Sequence, residues 1–400
     1  MATTKGQFTN RQYGVELELN VPFQEVTLRG TGGAGRTRSM SNHTTLARYL
    51  RQETGLEVFA EGWNHDTVTY WKIVPDGSVR ADSQTFPCEI VSPPMKGTAG
   101  LADIAAMCEV LNDLGCTINR SHGMHIHTDI NDWKKDVKRA RRISAPATTK
   151  KLLNLSKKKV AFMCDIFGRY EPAFFGMQPK SRMRQYRGRD RAGNRVGGFN
   201  DWSFGNGSQL YPVYFQRNEK MQRVSGKCKV AKRLAMERIE EFLLCNGNGY
   251  NDGSLQRNGS SNARYCTLNW GSYWKYGTVE NRMAAGTVNY DKIVTWIMLC
   301  QAMVETAERM ANAGRTKATP DSPISKDETG KLLRSMKMNL GFSLTPFDRE
   351  SGLEVSGHYK RAAEFYTKRH SHFKRTQPRN YGFGWEAAPA TILNLSLIHI

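Results

Sequence analysis

Tyr13-Gly14-Val15-Glu16-Leu17-Glu18-Leu19-Asn20 alternates polar and apolar side chains. A period of two is incompatible with a helix. It predicts a strand over 11–20 with one face packed and the other turned toward polar surroundings. Tyr13, Val15, Leu17 and Leu19 share the packed face; Glu16, Glu18 and Asn20 share the other. The pattern returns at Met124–Ile130, where His125, His127 and Asp129 lie opposite Met124, Ile126 and Thr128. It returns again at Gly277–Met283, which sets Glu280 and Arg282 on one face. Cys88-Glu89-Ile90-Val91-Ser92 is a shorter strand, stopped by Pro93-Pro94 and carrying a lone acid. Such segments must pair with one another, so a sheet is the frame of the fold.

Helices fill the intervals. Helical spacing is read over 43–55, 98–114, 228–244 and 291–312, with Leu101, Ile104, Ala105, Cys108 and Leu111 as the apolar stripe of the second. Val68–Val74 and Cys266–Trp270 are read as further strands, Asp76-Gly77-Ser78 as a turn, and 29–42, 187–207 and 246–253 as loops. Strands and helices do not alternate regularly enough for a doubly wound parallel sheet. The expected class is α+β with a largely antiparallel sheet. Residues 1–314 are read as the main domain, 134–207 within it as a basic insertion, 315–392 as an extension and 393–400 as a non-native tail.

Composition narrows the functional classes. No apolar run reaches the length of a membrane span, and Met1–Gln7 lacks a signal-peptide core, so a cytoplasmic protein is expected. The eight cysteines form no Cys-x-x-Cys pair, which argues against a disulfide scaffold or a zinc ribbon. Cys108 and Cys300 are expected to be buried, inert thiols. The net charge is +21, and 16 of those surplus charges sit in 134–159 and 180–195. Such a patch can be a solvated face, can steer an anionic substrate such as ATP, or can hold nucleic acid.

The polar strand faces carry the chemistry. Two carboxylates on one face repel unless a cation intervenes, and magnesium prefers oxygen ligands. Two solvated carboxylates on a half-exposed strand would look the same. His125 and His127 suit a metal or a phosphate, and also a structural pair. Glu280 could hold a metal or an amine and Arg282 a phosphate, or the two could form a structural ion pair. Glu89 is a metal ligand or an edge carboxylate, and Arg264 a phosphate contact or a solvated side chain. Together these residues would suit divalent ions, a polyphosphate and phosphoryl transfer onto a carboxylate. No Gly-x-x-x-x-Gly-Lys-Ser/Thr loop accompanies them.

Six pieces in order carry a resemblance: Tyr13–Glu18, Trp71–Ser78, Glu89–Pro94, Gly123–His127, Arg264–Asn269, and Gly277–Arg282 with Gly286-Thr287. The chain resembles the amidoligases of bacteria and their phages. These are carboxylate–amine ligases related to glutamine synthetase and glutamate–cysteine ligase. The resemblance runs from residue 11 to about 312 and leaves out 134–159 and 180–207. It implies a glutamine-synthetase-like curved antiparallel sheet forming a funnel backed by helices.

It also implies that Glu16, Glu18 and Glu89 hold Mg2+, completed by His125 or His127 or both. Glu280 would serve the metal or the amine, and Arg282, with Arg264, would contact the phosphate. His127 joins the two arginines as a candidate ATP contact. Where the family often has Cys-Gly before its histidine motif, this chain has His122-Gly123, a third histidine for the site or a turn residue. The expected activity is ATP-dependent formation of an amide or isopeptide bond through an acylphosphate. The substrates would be small-molecule or peptide acids and amines, and the assembly monomeric or a homo-oligomer. The rivals are a metal-dependent hydrolase or nuclease acting without ATP, and a non-catalytic nucleic-acid-binding phage protein.

Overall fold

The structure, a computed structural model, describes residues 11–30, 35–142, 146–175, 177–179, 188–189, 195–196, 239–244, 267–314 and a few positions between 340 and 372. The chain divides into two compact units. One comprises Thr9–Thr128 with Ala284–Ile297; the other comprises Met1–Phe8, Asp129–Met283 and Met298–Ile400. Each is described by itself.

The unit containing the N-terminal strands is built on β1 (Tyr13–Pro22), β2 (Gln24–Arg29), β3 (Gly35–Met40), α1 (His43–Thr54), β4 (Val58–Ala60), β5 (Trp71–Val74), β6 (Thr85–Val91), α2 (Gly97–Asp113) and β7 (Gly123–Asp129). Its sheet runs in the order β7-β1-β6-β5-β4. Pairing is antiparallel from β7 to β5 and parallel between β4 and β5. The mixed α+β class is as the sequence indicates, with the short parallel edge as an addition. β1 is central because its apolar face, Tyr13, Val15, Leu17, Leu19 and Val21, is wholly buried. Burying each such side chain stabilises by about 1.5–3 kcal/mol. Helix α2 comes close over that strand at Gly100, where a Cβ would lie 2.7 Å from the Tyr13 hydroxyl and 2.6 Å from Met95 Cβ. Helix α1 starts at Asn42, whose side chain accepts the Thr45 N–H at 2.9 Å.

The other unit holds α3 (Asn131–Arg142), α4 (Pro146–Phe175), the two-residue strands β8 (Gly188–Arg189) and β9 (Arg195–Val196), β10 (Leu268–Asn269) and α5 (Gly271–Tyr276). β11 (Thr278–Ala285) belongs to it through Met283, and α6 (Tyr290–Asn312) from Met298. β10 and β11 are antiparallel. Gly277 joins α5 to β11 at φ 72°, and a Cβ there would sit 1.9 Å from Asn131 Oδ1, so only glycine fits. Lys134 caps α5 by donating to the Trp274 carbonyl at 2.7 Å and the Tyr273 carbonyl at 3.2 Å. Among the described residues, no helix is long and apolar enough to cross a membrane.

Several elements differ from the sequence expectation. The 29–42 loop is in large part the hairpin β2–β3; β3 is solvent-exposed from Gly35 to Ser39, so no apolar alternation reveals it. The strand expected at Val68–Val74 is only Trp71–Val74. The basic stretch at 134–159 is largely helical, and part of its charge is internally matched. Lys159 pairs with Glu308 at 2.7 Å and Asp136 at 3.4 Å, and Lys157 with Glu240. The helix expected over 228–244 is described only at 239–244. The loop at 246–253, most of the extension at 315–392 and the tail at 393–400 lie outside the described residues.

Candidate functional site

In the unit built on β1, register brings the polar faces together. Glu16 stands opposite His125 on β7, and Glu18 stands opposite Glu89 on β6. The two strands flanking β1 thus converge on its carboxylates from either side. His125 Nδ1 lies 2.7 Å from Glu16 Oε2, and His127 Nε2 lies 3.2 Å from Glu16 Oε1. Burial alone would raise the Glu16 pKa. The hydrogen bonds from His125 and His127, and their charges, outweigh burial and hold Glu16 well below the usual carboxylate range.

With Nδ1 donating to Glu16, the other His125 nitrogen points at Glu18 Oε1 at 3.4 Å. That is the arrangement in which a carboxylate orients an imidazole toward a metal. Glu18 is 4% exposed, and its Oε2 accepts the Gly123 N–H at 2.5 Å, which aims the carboxylate. Ligand atoms of Glu18, Glu89 and His125 lie within 4.8 Å of one another. Cations with bonds of about 2.1 Å in octahedral geometry space adjacent ligands by about 3 Å and opposite ones by about 4 Å. The three groups are close enough to share one divalent cation, and a donor set of two carboxylates and an imidazole admits magnesium as well as softer divalent metals.

His122 is differently placed. Its Nδ1 accepts the Asn119 N–H at 2.7 Å, so Nε2 carries the proton and faces Asn20 Oδ1 at 3.2 Å. Both nitrogens are engaged, one within the turn before β7 and the other with β1. Burial lowers the ring pKa to about 4, against smaller opposing effects of the Asn119 hydrogen bond and the Asp76 charge.

In the other unit, Glu280 and Arg282 share a face of β11 as their spacing requires. Arg282 Nη1 donates to Glu280 Oε1 at 2.6 Å. Glu280 Oε2 accepts Asn269 Nδ2 at 2.7 Å and the Ser272 hydroxyl at 3.0 Å. Glu280 is 4% exposed, so these donors fix the plane of a buried carboxylate. Sequence reasoning did not single out Asn269 or Ser272 as its partners. The signal available was the polar pair Asn269 and Ser272 on either side of Trp270-Gly271, where β10 passes into α5. Arg264 lies outside the described residues. Cys108 and Cys300 are buried as expected, and burial pushes the Cys108 thiol up to about 12.

A family model described as "Putative amidoligase enzyme" matches residues 9–154 and 221–304. No curated protein matches the chain. Among solved structures, the crystal structure of a bifunctional glutathione synthetase from Pasteurella multocida aligns at 12% identity and a TM-score of 0.33, over 97% of this chain and 51% of that one. The chain spans about half the length of that enzyme. The family match covers more than half of the chain, which therefore belongs to the amidoligase family. It reaches residue 154, farther into the basic stretch than the sequence resemblance does.

Proposed function

We propose that this amidoligase-family chain is an ATP-dependent ligase that joins a carboxylate to an amine through an acylphosphate. The observation that carries the reading is the Glu18–Glu89–His125 cluster on one strand face, with ligand atoms within 4.8 Å of one another. Close carboxylates are costly without a cation, and family membership makes nucleotide-linked magnesium the economical occupant. Glu18, Glu89 and His125 would hold the ion, while Glu16, engaged with both histidines, orients His125 and can add an oxygen. Magnesium bound there would neutralise polyphosphate charge.

A carboxylate resists direct attack by an amine because it is a poor electrophile and would have to expel oxide. In the proposed reaction, a substrate carboxylate oxygen bonds to the γ-phosphorus as the bond to the bridging oxygen breaks and ADP leaves. The amine nitrogen then bonds to the acyl carbon, the carbon–oxygen bond breaks and phosphate departs. The protein contributes positioning and charge stabilisation. Arg282, and Arg264 with it, contacts the transferring phosphate. His127 is a further phosphate contact. Glu280 receives the incoming ammonium or its proton, its carboxylate plane set by Asn269 and Ser272.

The test is incubation with Mg2+, ATP and pooled acids and amines, following ADP and new amide masses. Native protein should yield both and Glu18→Gln neither. Phosphodiester cleavage without ATP would replace this reading with a metal-dependent nuclease.

A further inference from the structure

Lys72 is the charged residue in β5, a strand buried throughout, and it is itself 2% exposed. Register sets Lys72 opposite Val91, and Val91 opposite Glu16, which in turn stands opposite His125. All four lie in one row across the sheet, so Lys72 shares the face that carries the carboxylates and histidines. Glu89 is its diagonal neighbour on β6, at a typical separation of about 7–8 Å.

The ammonium donates to Asn64 Oδ1 at 2.6 Å and to the Asp66 carbonyl at 2.7 Å. It has three hydrogens to give, and both of these acceptors are neutral. Among the described residues, no carboxylate forms an ion pair with it. The acid that acts on it from nearby, Glu61, is committed elsewhere: Oε2 accepts Asn64 Nδ2 at 2.7 Å and Oε1 accepts the Tyr70 hydroxyl at 2.5 Å. Burying an ammonium without a direct counter-ion is costly. A side chain needed only to clip the 61–70 loop would not require a charge.

We infer that Lys72 is an oxyanion-binding residue, which takes a nucleotide phosphate or the substrate carboxylate beside the Glu18–Glu89–His125 cluster. An anion there would supply the missing counter-charge and would bridge toward a bound cation. The inference rests on the ligase reading for the identity of the substrate, and on the unmatched ammonium for the site.

Calorimetry on the full chain, with MgATP, magnesium tripolyphosphate and glutarate as probes, tests it. Lys72→Met should weaken binding at least tenfold, and Lys72→Arg should retain most of it. The double variant Glu61→Gln/Asn64→Asp keeps the local net charge but puts a carboxylate against the ammonium. It should also weaken binding at least tenfold while its melting temperature stays at or above the native value. Loss for MgATP and tripolyphosphate assigns the phosphate; loss for glutarate alone assigns the carboxylate. If the double variant binds all probes like the native protein, Lys72 is a loop clip and the inference falls, even where Lys72→Met binds poorly. A Lys72→Met variant that binds all three probes as tightly as the native protein does would overturn this inference alone. Native protein that binds none of the probes would overturn it and the ligase reading together.

Discussion

Two buried carboxylates on strand faces, Glu18 and Glu280, are each 4% exposed, yet they are satisfied in opposite ways. Glu280 is met by an arginine, an amide and a hydroxyl, so the protein answers its charge. Glu18 faces another carboxylate across the strand pair and an imidazole 3.4 Å away, with one backbone N–H as its hydrogen-bond donor. A carboxylate answered by protein donors is preorganised in the bare chain. One that faces a carboxylate and an imidazole is, in the function proposed above, arranged for a cation. Burial alone does not distinguish the two; the neighbours do.

The largest expected effect separates them by metal affinity. Glu18→Gln keeps an acceptor for the Gly123 N–H but removes a charge, and Mn2+ affinity read by paramagnetic resonance should fall roughly 100-fold. Its metal-free melting temperature should not fall, because like-charge repulsion is relieved. A lower melting temperature with unchanged metal affinity would reverse the comparison. Next in size, Glu280→Gln strands Arg282 beside a neutral amide. Urea unfolding without metal should then lose about 3 kcal/mol, the usual cost of breaking a buried pair from one side.

His122 sharpens the contrast within one strand region. It is neutral when folded, with a pKa of about 4 against 6.5 for the ordinary imidazole. A depressed folded value means that its stabilising contribution is complete above pH 6.5 and is lost as pH falls toward 4. Comparing native protein with His122→Gln across that window should isolate a stability loss of the order of 1–2 kcal/mol, allowing for partial solvation. Mn2+ affinity at pH 7.5 should be the same in both. The smallest effect is expected from Ser272→Ala, about 1 kcal/mol for one hydrogen bond to Glu280. Ser272→Thr should restore it.

What could be read in advance follows from how each element is buried. β1 was legible because one face is core and the other polar, so its alternation is unbroken. β3 was not, because water on both sides leaves its sequence free of pattern. β4 has three residues, too few to show a period. Helices α3 and α4 were obscured by lysines and arginines, which serve a helix as well as a loop. Glu16, Glu18, His125 and His127 were candidates from spacing alone, and the structure does gather them with Glu89. The partners that give them meaning were less visible. Lys72 stood inside a recognised piece, yet its significance depends on acceptors six and eight residues away that only the folded loop brings to it.

The cross-strand pairings of β1 also constrain how such a protein can change over generations. Glu16 and Glu18 meet their partners on both sides at a fixed register. Deleting one residue within β1 would exchange its whole polar set for Val15, Leu17 and Leu19 beyond the deletion. The site must therefore diversify by replacing side chains in place. Length variation belongs to segments outside these paired strands, where an added residue shifts no carboxylate off its face.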